Sequence, residues 1–115
     1  MHHRPVSVIE FAAYQRHAGE LLTEAERGAV VDLIAFDPAC GDLIPGTGGL
    51  RKVRIGLSGS GKRGGARVIY YFYNENFPVL LLALYAQNEK ADMKATEKRK
   101  LTGLVAEIVN QWRRK

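Results

Sequence analysis

Gly56, Gly61 and Lys62, in the stretch GLSGSGKR, stand at the spacing of a phosphate-cradling loop, G-x-x-x-x-G-K-[ST]. The last position, which would bring a hydroxyl to Mg²⁺, is Arg63. Such a loop must also run from a strand into a helix, so that backbone N–H groups and the helix N-terminus face the phosphates. Here it runs into GGARVIYYFYN, where Val68 to Phe72 are β-branched or aromatic without interruption, which predicts a strand. The stretch before it, LRKVRIGL, sets Val53, Ile55 and Leu57 against Lys52 and Arg54 in alternation and predicts another. The glycine-rich segment therefore joins two strands, and its cations Lys62 and Arg63 read as phosphate contacts on a hairpin loop rather than as a nucleotide cradle.

The other charged residues are unevenly placed. Leu43 to Asn74 contains no Asp or Glu, yet it holds Arg51, Lys52, Arg54, Lys62, Arg63 and Arg67. These cations outnumber the net charge of +5, so the rest of the chain is close to neutral. A basic character confined to one region is what a surface facing phosphates requires.

The elements that must position this hairpin can be read in order. A chain of 115 residues, 46% hydrophobic and 25% charged, reads as one globular domain spanning 1–115. Its one cysteine, Cys40, can form neither an intramolecular disulfide nor a multi-thiolate zinc site, so a reducing, cytoplasmic setting is expected, with Cys40 a small buried filler. No apolar stretch is long enough to span a bilayer, and MHHRPVSVIEF lacks a signal-peptide core. Val6 to Glu10 alternates as a strand, and Phe11, Tyr14, Ala18, Leu21 and Leu22 then fall at helical spacing. Thr23 with Glu26 forms a capping box that opens a second helix, with Val30, Leu33 and Ile34 on its buried stripe and Asp37-Pro38 at its end. LIPGTGGL is a turn-rich connection into the basic strand, and Asn74-Glu75-Asn76 is the turn after the aromatic one. Val79 to Ala86, apolar almost throughout, predicts a central strand buried on both faces. Leu101, Leu104, Val105, Ile108 and Trp112 line one face of a last helix, with Trp112 anchoring its end.

The order β-α-α-β-β-β-α predicts an α+β fold, a mainly antiparallel four-stranded sheet with a helical hairpin packed on one face and a C-terminal helix. The other face is expected to be a shallow concave surface lined by Arg67, Tyr71 and Tyr85 with the basic strand, open to a ligand or partly covered by the last helix. Tyr70, Tyr71 and Tyr73 read as sheet packing.

GDLIPGTGGLRKVRIGLSGSGKRGGARVIYYFYN, followed by LLLALYAQNEKADM and Glu97-Lys98-Arg99, resembles the RelE/ParE superfamily of bacterial toxins, in its HigB-like RelE branch. The resemblance runs from about Val8 to about Leu104. It implies a fold like that of the small microbial ribonucleases and the toxin half of a type II toxin–antitoxin pair. Many members of the RelE branch cut messenger RNA in the ribosomal A site without a metal; the ParE branch shares the fold and poisons DNA gyrase. The partners implied are a cognate antitoxin, a small helix-turn-helix protein through which the complex binds operator DNA, together with the ribosome and messenger RNA. Arg67 falls where the family places its phosphate-binding catalytic arginine, and Tyr85 matches the tyrosine ending the last strand. Arg51, Lys52 and Arg54 match the basic strand, with Lys52 and Arg54 counted as catalytic and Arg51 as an RNA contact. Gln87 and Lys90 fall in the segment after the last strand. Relatives often carry lysine at the position of Gln87; an amide cannot release a proton as an ammonium can, which leaves the general acid open between a weakened activity and Lys90.

The residues themselves agree with that implication. Cleaving RNA through its own 2′-OH needs a proton acceptor, a proton donor for the departing oxygen, and cations around the developing phosphorane. His2, His3 and His17 all lie in the first fifth of the chain, away from the basic hairpin, which speaks against a two-histidine mechanism. No carboxylate cluster accompanies the basic strand, which speaks against two-metal hydrolysis, so neither metal nor cofactor is expected. Arginine, lysine and tyrosine remain: a bidentate arginine for phosphate, a lysine whose neutral form is favoured by crowded cations, and a tyrosine to stack on a base or assist proton transfer. Three readings follow: a ribosome-dependent endoribonuclease, a gyrase-binding toxin of the same fold, and a non-catalytic basic RNA-binding module.

Overall fold

The computed structural model describes residues 4–57, 65–86 and 93–114. Lys62, Arg63, Gln87 and Lys90 lie outside the described residues, as do His2 and His3.

The chain runs β1 (Val8–Glu10), α1 (Ala12–Leu21), α2 (Glu24–Phe36), β2 (Asp42–Leu43), β3 (Leu50–Ile55), β4 (Ala66–Tyr71), β5 (Val79–Ala86) and α3 (Ala95–Arg113). The sheet has five strands in the order β1-β5-β4-β3-β2. β1 pairs with β5 in parallel and every other pair is antiparallel. The expected class, α+β with a mainly antiparallel sheet, is what forms; the fifth strand, β2, is two residues at the start of the turn-rich connection, too short to show a period.

α2 opens on the expected capping box: the Glu26 N–H donates to Thr23 Oγ1 at 3.1 Å and the Thr23 N–H donates to Glu26 Oε1 at 2.8 Å. Two core layers flank the sheet. On one, Tyr14, Ala18, Leu22, Val30 and Ile34 of the helical hairpin bury Ala66, Val68, Tyr70, Leu81 and Leu84. On the other, Met93 and Val105, with Leu101 and Ile108, cover Leu50, Ile69, Tyr71, Leu80 and Leu82. β5 is thus buried on both faces, as its continuous apolar run requires. Leu33 and Leu104, expected on buried stripes, are 42% exposed each, because each helix lays only a narrow stripe on the sheet.

The β4–β5 ladder carries a bulge. Ile69 pairs with Ala83 and Tyr70 with Leu81, so Leu82 is an extra residue on β5. Leu80 and Leu82 face the α3 side, and past the bulge Ala83 and Tyr85 face it too. Strict alternation from Leu80 would have placed Tyr85 under the helical hairpin.

Tyr70 ties the sheet to the α2–β2 connection. Its hydroxyl donates to the Pro38 carbonyl and accepts from the Gly41 N–H, both at 2.8 Å. Cys40, half-buried rather than enclosed, places its Sγ 3.7 Å from the same hydroxyl. Burial pushes the Tyr70 phenol up, and burial followed by the Glu10 carboxylate pushes Tyr14 up to about 12. Both fold as neutral phenols and would ionise near pH 10 in the unfolded chain. Stability is therefore expected to hold below about pH 10 and to fall as pH rises through the folded values, by up to about 1.4 kcal/mol per pH unit for each tyrosine. Denaturant unfolding followed between neutral and strongly alkaline pH checks this, and Tyr14→Phe should flatten the alkaline decline.

Candidate functional site

The register of the three central strands assembles the basic residues. Arg67 on β4 pairs with Arg54 on β3 and with Tyr85 on β5, so the three stand in one row across adjacent strands. Directly opposed side chains in such a ladder have Cβ atoms about 5 Å apart, which makes the row roughly 10 Å long. Lys52 lies two residues along β3 on the same face, and β2 places Asp42 directly opposite it. Asp42, Lys52, Val53, Arg54 and Arg67 line one depression of about 310 Å³.

Setting Arg54 opposite Arg67 works against the fold, since like charges facing across a ladder cost on the order of 0.2–1 kcal/mol. A bound anion would reverse that sign. The arginines offer fork-shaped donors whose geometry matches a phosphate.

The other expected site residues are placed differently. Tyr85 is only 7% exposed and belongs to the core layer under α3, so it walls the row and offers no open ring for a base in this conformation. Tyr71, expected to line an open surface, is 6% exposed beneath α3. Arg51 pairs with Tyr70, on the face of the helical hairpin, and its Nη1 donates to the Gly41 carbonyl at 2.8 Å and the Ala39 carbonyl at 3.3 Å. It clamps the α2–β2 connection, which in turn sets Asp42 beside Lys52. Asp42 was missed by sequence reasoning because only the two-residue pairing of β2 brings it to the row.

Among the described residues, no group of three or more His, Cys, Asp or Glu is gathered so as to hold a metal ion. No helix among them is long and apolar enough to cross a membrane.

A sheet of this order, with a helical hairpin on one face and a further helix on the other, has the RelE-like fold. A solved structure of the E. coli toxin RelE, a double arginine-to-alanine mutant in the free state, matches with a TM-score of 0.55 at 11% identity, over 76% of this chain and 88% of that one. No protein-family model matches the chain.

Proposed function

We propose that this chain is the toxin of a type II toxin–antitoxin pair, of the HigB-like RelE branch, acting in the cytoplasm as a ribosome-dependent, metal-independent messenger RNA endonuclease. The observation that carries the reading is the row Arg54, Arg67 and Tyr85 across three strands, with Lys52 in the same depression. Arg67, at its centre, holds the scissile phosphate bidentately. Arg54 adds charge to the developing phosphorane, and Lys52 is the side chain in the depression able to exchange a proton with the 2′-OH. Tyr85 packs beside Arg67 and excludes water from one side. Lys90 is the candidate proton donor to the departing oxygen, and Gln87, Lys62 and Arg63 contact ribosomal or messenger RNA. Arg51 acts through the connection it clamps. The partners are the ribosome with its message and a small helix-turn-helix antitoxin, whose complex with the toxin binds operator DNA.

Induced expression in a bacterium is expected to arrest translation before replication. Pulse labelling checks it: incorporation of labelled amino acid should collapse while thymidine incorporation and plasmid supercoiling persist. The reverse order would favour a gyrase-binding toxin over the endonuclease.

A further inference from the structure

At the other end of the sheet, Tyr73, Asn74, Trp112 and Arg113 line a second depression of about 420 Å³. Tyr73 is 41% exposed and Trp112 36%, and their rings stand 6.2 Å apart at 86°. Both rest edge-to-face on Phe77, which is 3% exposed, at 6.0 Å and 5.0 Å. Tyr71 stacks at 6.4 Å and 12° against Tyr73. Two half-exposed rings are thus held as a rigid right-angled corner by two buried ones. Leaving that much aromatic surface in water forgoes stabilisation that a deeper packing would supply. Among the described residues, those that line the corner carry no carboxylate; Arg113 lines it and Arg114 follows, exposed. Asn74 commits its side-chain oxygen to the Asn76 N–H at 2.8 Å, so its amide N–H groups are what it offers.

We infer that Tyr73, Trp112, Asn74 and Arg113 form a second RNA subsite, which stacks one unpaired base in the aromatic corner and holds its phosphate on Arg113. An unpaired nucleotide presents the three features the corner fits: a flat heterocycle for the rings, edge acceptors for the Asn74 amide, and an anion for the arginine. Tyr73 lies on the same face as Arg67 and six residues further along, about 20 Å at strand rise. α3 covers the sheet between them, so one RNA strand that engages both ends passes over the outer face of α3. The inference rests on the RNA-directed reading above and extends it to how the substrate is held outside the reacting phosphate.

Trp112 is the only tryptophan in the chain, so its fluorescence reports on the corner directly. Titrating the purified protein with a short single-stranded oligoadenylate at low salt should quench it saturably, and a duplex of the same length should not. Tyr73→Ala should weaken that binding about tenfold through loss of one stacked base. Arg113→Gln, at an exposed helix end where folding is not at stake, should weaken it and lower the slope of log K against log salt by about 0.7, one phosphate's share. Arg67→Ala should lose toxicity and still reach the same quenching at saturating oligoadenylate, at a higher concentration if the strand spans both sites. Absence of quenching, or quenching left unchanged by both Tyr73→Ala and Arg113→Gln, overturns the subsite. Intact quenching in a protein whose expression leaves translation running would instead sink the endonuclease reading and leave the subsite standing.

Discussion

Arg67→Ala is expected to remove most of the activity while leaving the protein folded. The side chain stands at the centre of the row, between Arg54 and Tyr85, where a phosphate would be shared. Loss of a preorganised donor to a developing oxyanion typically costs about 3 kcal/mol or more, on the order of a hundredfold in rate. The same substitution relieves the Arg54–Arg67 opposition and removes Arg67's own interaction, two contributions of opposite sign, so thermal unfolding should shift by only a few degrees. Arg67→Lys should recover only part of the rate, because a point charge cannot bind phosphate bidentately. Cleavage of message on translating ribosomes, measured with the unfolding midpoint of each variant, separates the two effects. An Arg67→Ala protein as toxic as the parent at equal expression would show that the row is not the reacting site.

Gly65→Ala is expected to cost about 2–4 kcal/mol of stability, far more than an ordinary loop substitution. Gly65 has a φ of +69°, and a Cβ there would collide with the Ile55 carbonyl oxygen and sit 3.1 Å from its carbonyl carbon. Both obstacles are backbone, so no side chain can turn aside to make room. The closeness follows from the ladder, in which Ile55 pairs with Ala66 at its last rung. Gly56, across from it, has nothing within 4 Å of such a Cβ, and Gly56→Ala should be nearly neutral. Equilibrium denaturation of the two variants tests the contrast, and equal effects would refute the close approach. Because Gly65 stands two residues before Arg67, activity in Gly65→Ala should fall even in the fraction that remains folded.

Local signals in the sequence carried most of this architecture. Thr23 and Glu26 specify a helix start by chemistry alone, and the apolar run from Val79 to Ala86 specifies a strand covered on both sides. The alternation of LRKVRIGL correctly sends Lys52 and Arg54 to one face and Val53 and Ile55 to the other. The same alternation puts Arg51 with Val53, away from the row, although grouping by charge had joined it to its neighbours. Features that depend on distant pairing were not legible. β2 exists only because β3 offers an edge to two residues, and the bulge at Leu82 is a property of how two strands meet. That bulge decides which face Tyr85 occupies, so its match in position to a family tyrosine could not reveal that the ring is buried. Leu33 and Leu104 were assigned inside because helical period locates an apolar stripe without giving its width.

The parallel pairing of β1 with β5 has a consequence for how the protein is made. Among the described strands β5 is synthesised after all the others, and it stands between β1 and β4, where both core layers meet it. Until Val79–Ala86 has emerged, the first strand has no neighbour, the hairpin helices have half a surface to pack on, and Arg67 lacks the strand that bears Tyr85. Pairing β1 with β5 closes a long loop, a contact of high sequence separation that is expected to form late in folding. A nascent chain interrupted before that point carries the basic strands β3 and β4 without the strand that joins them to β1 and to both core layers.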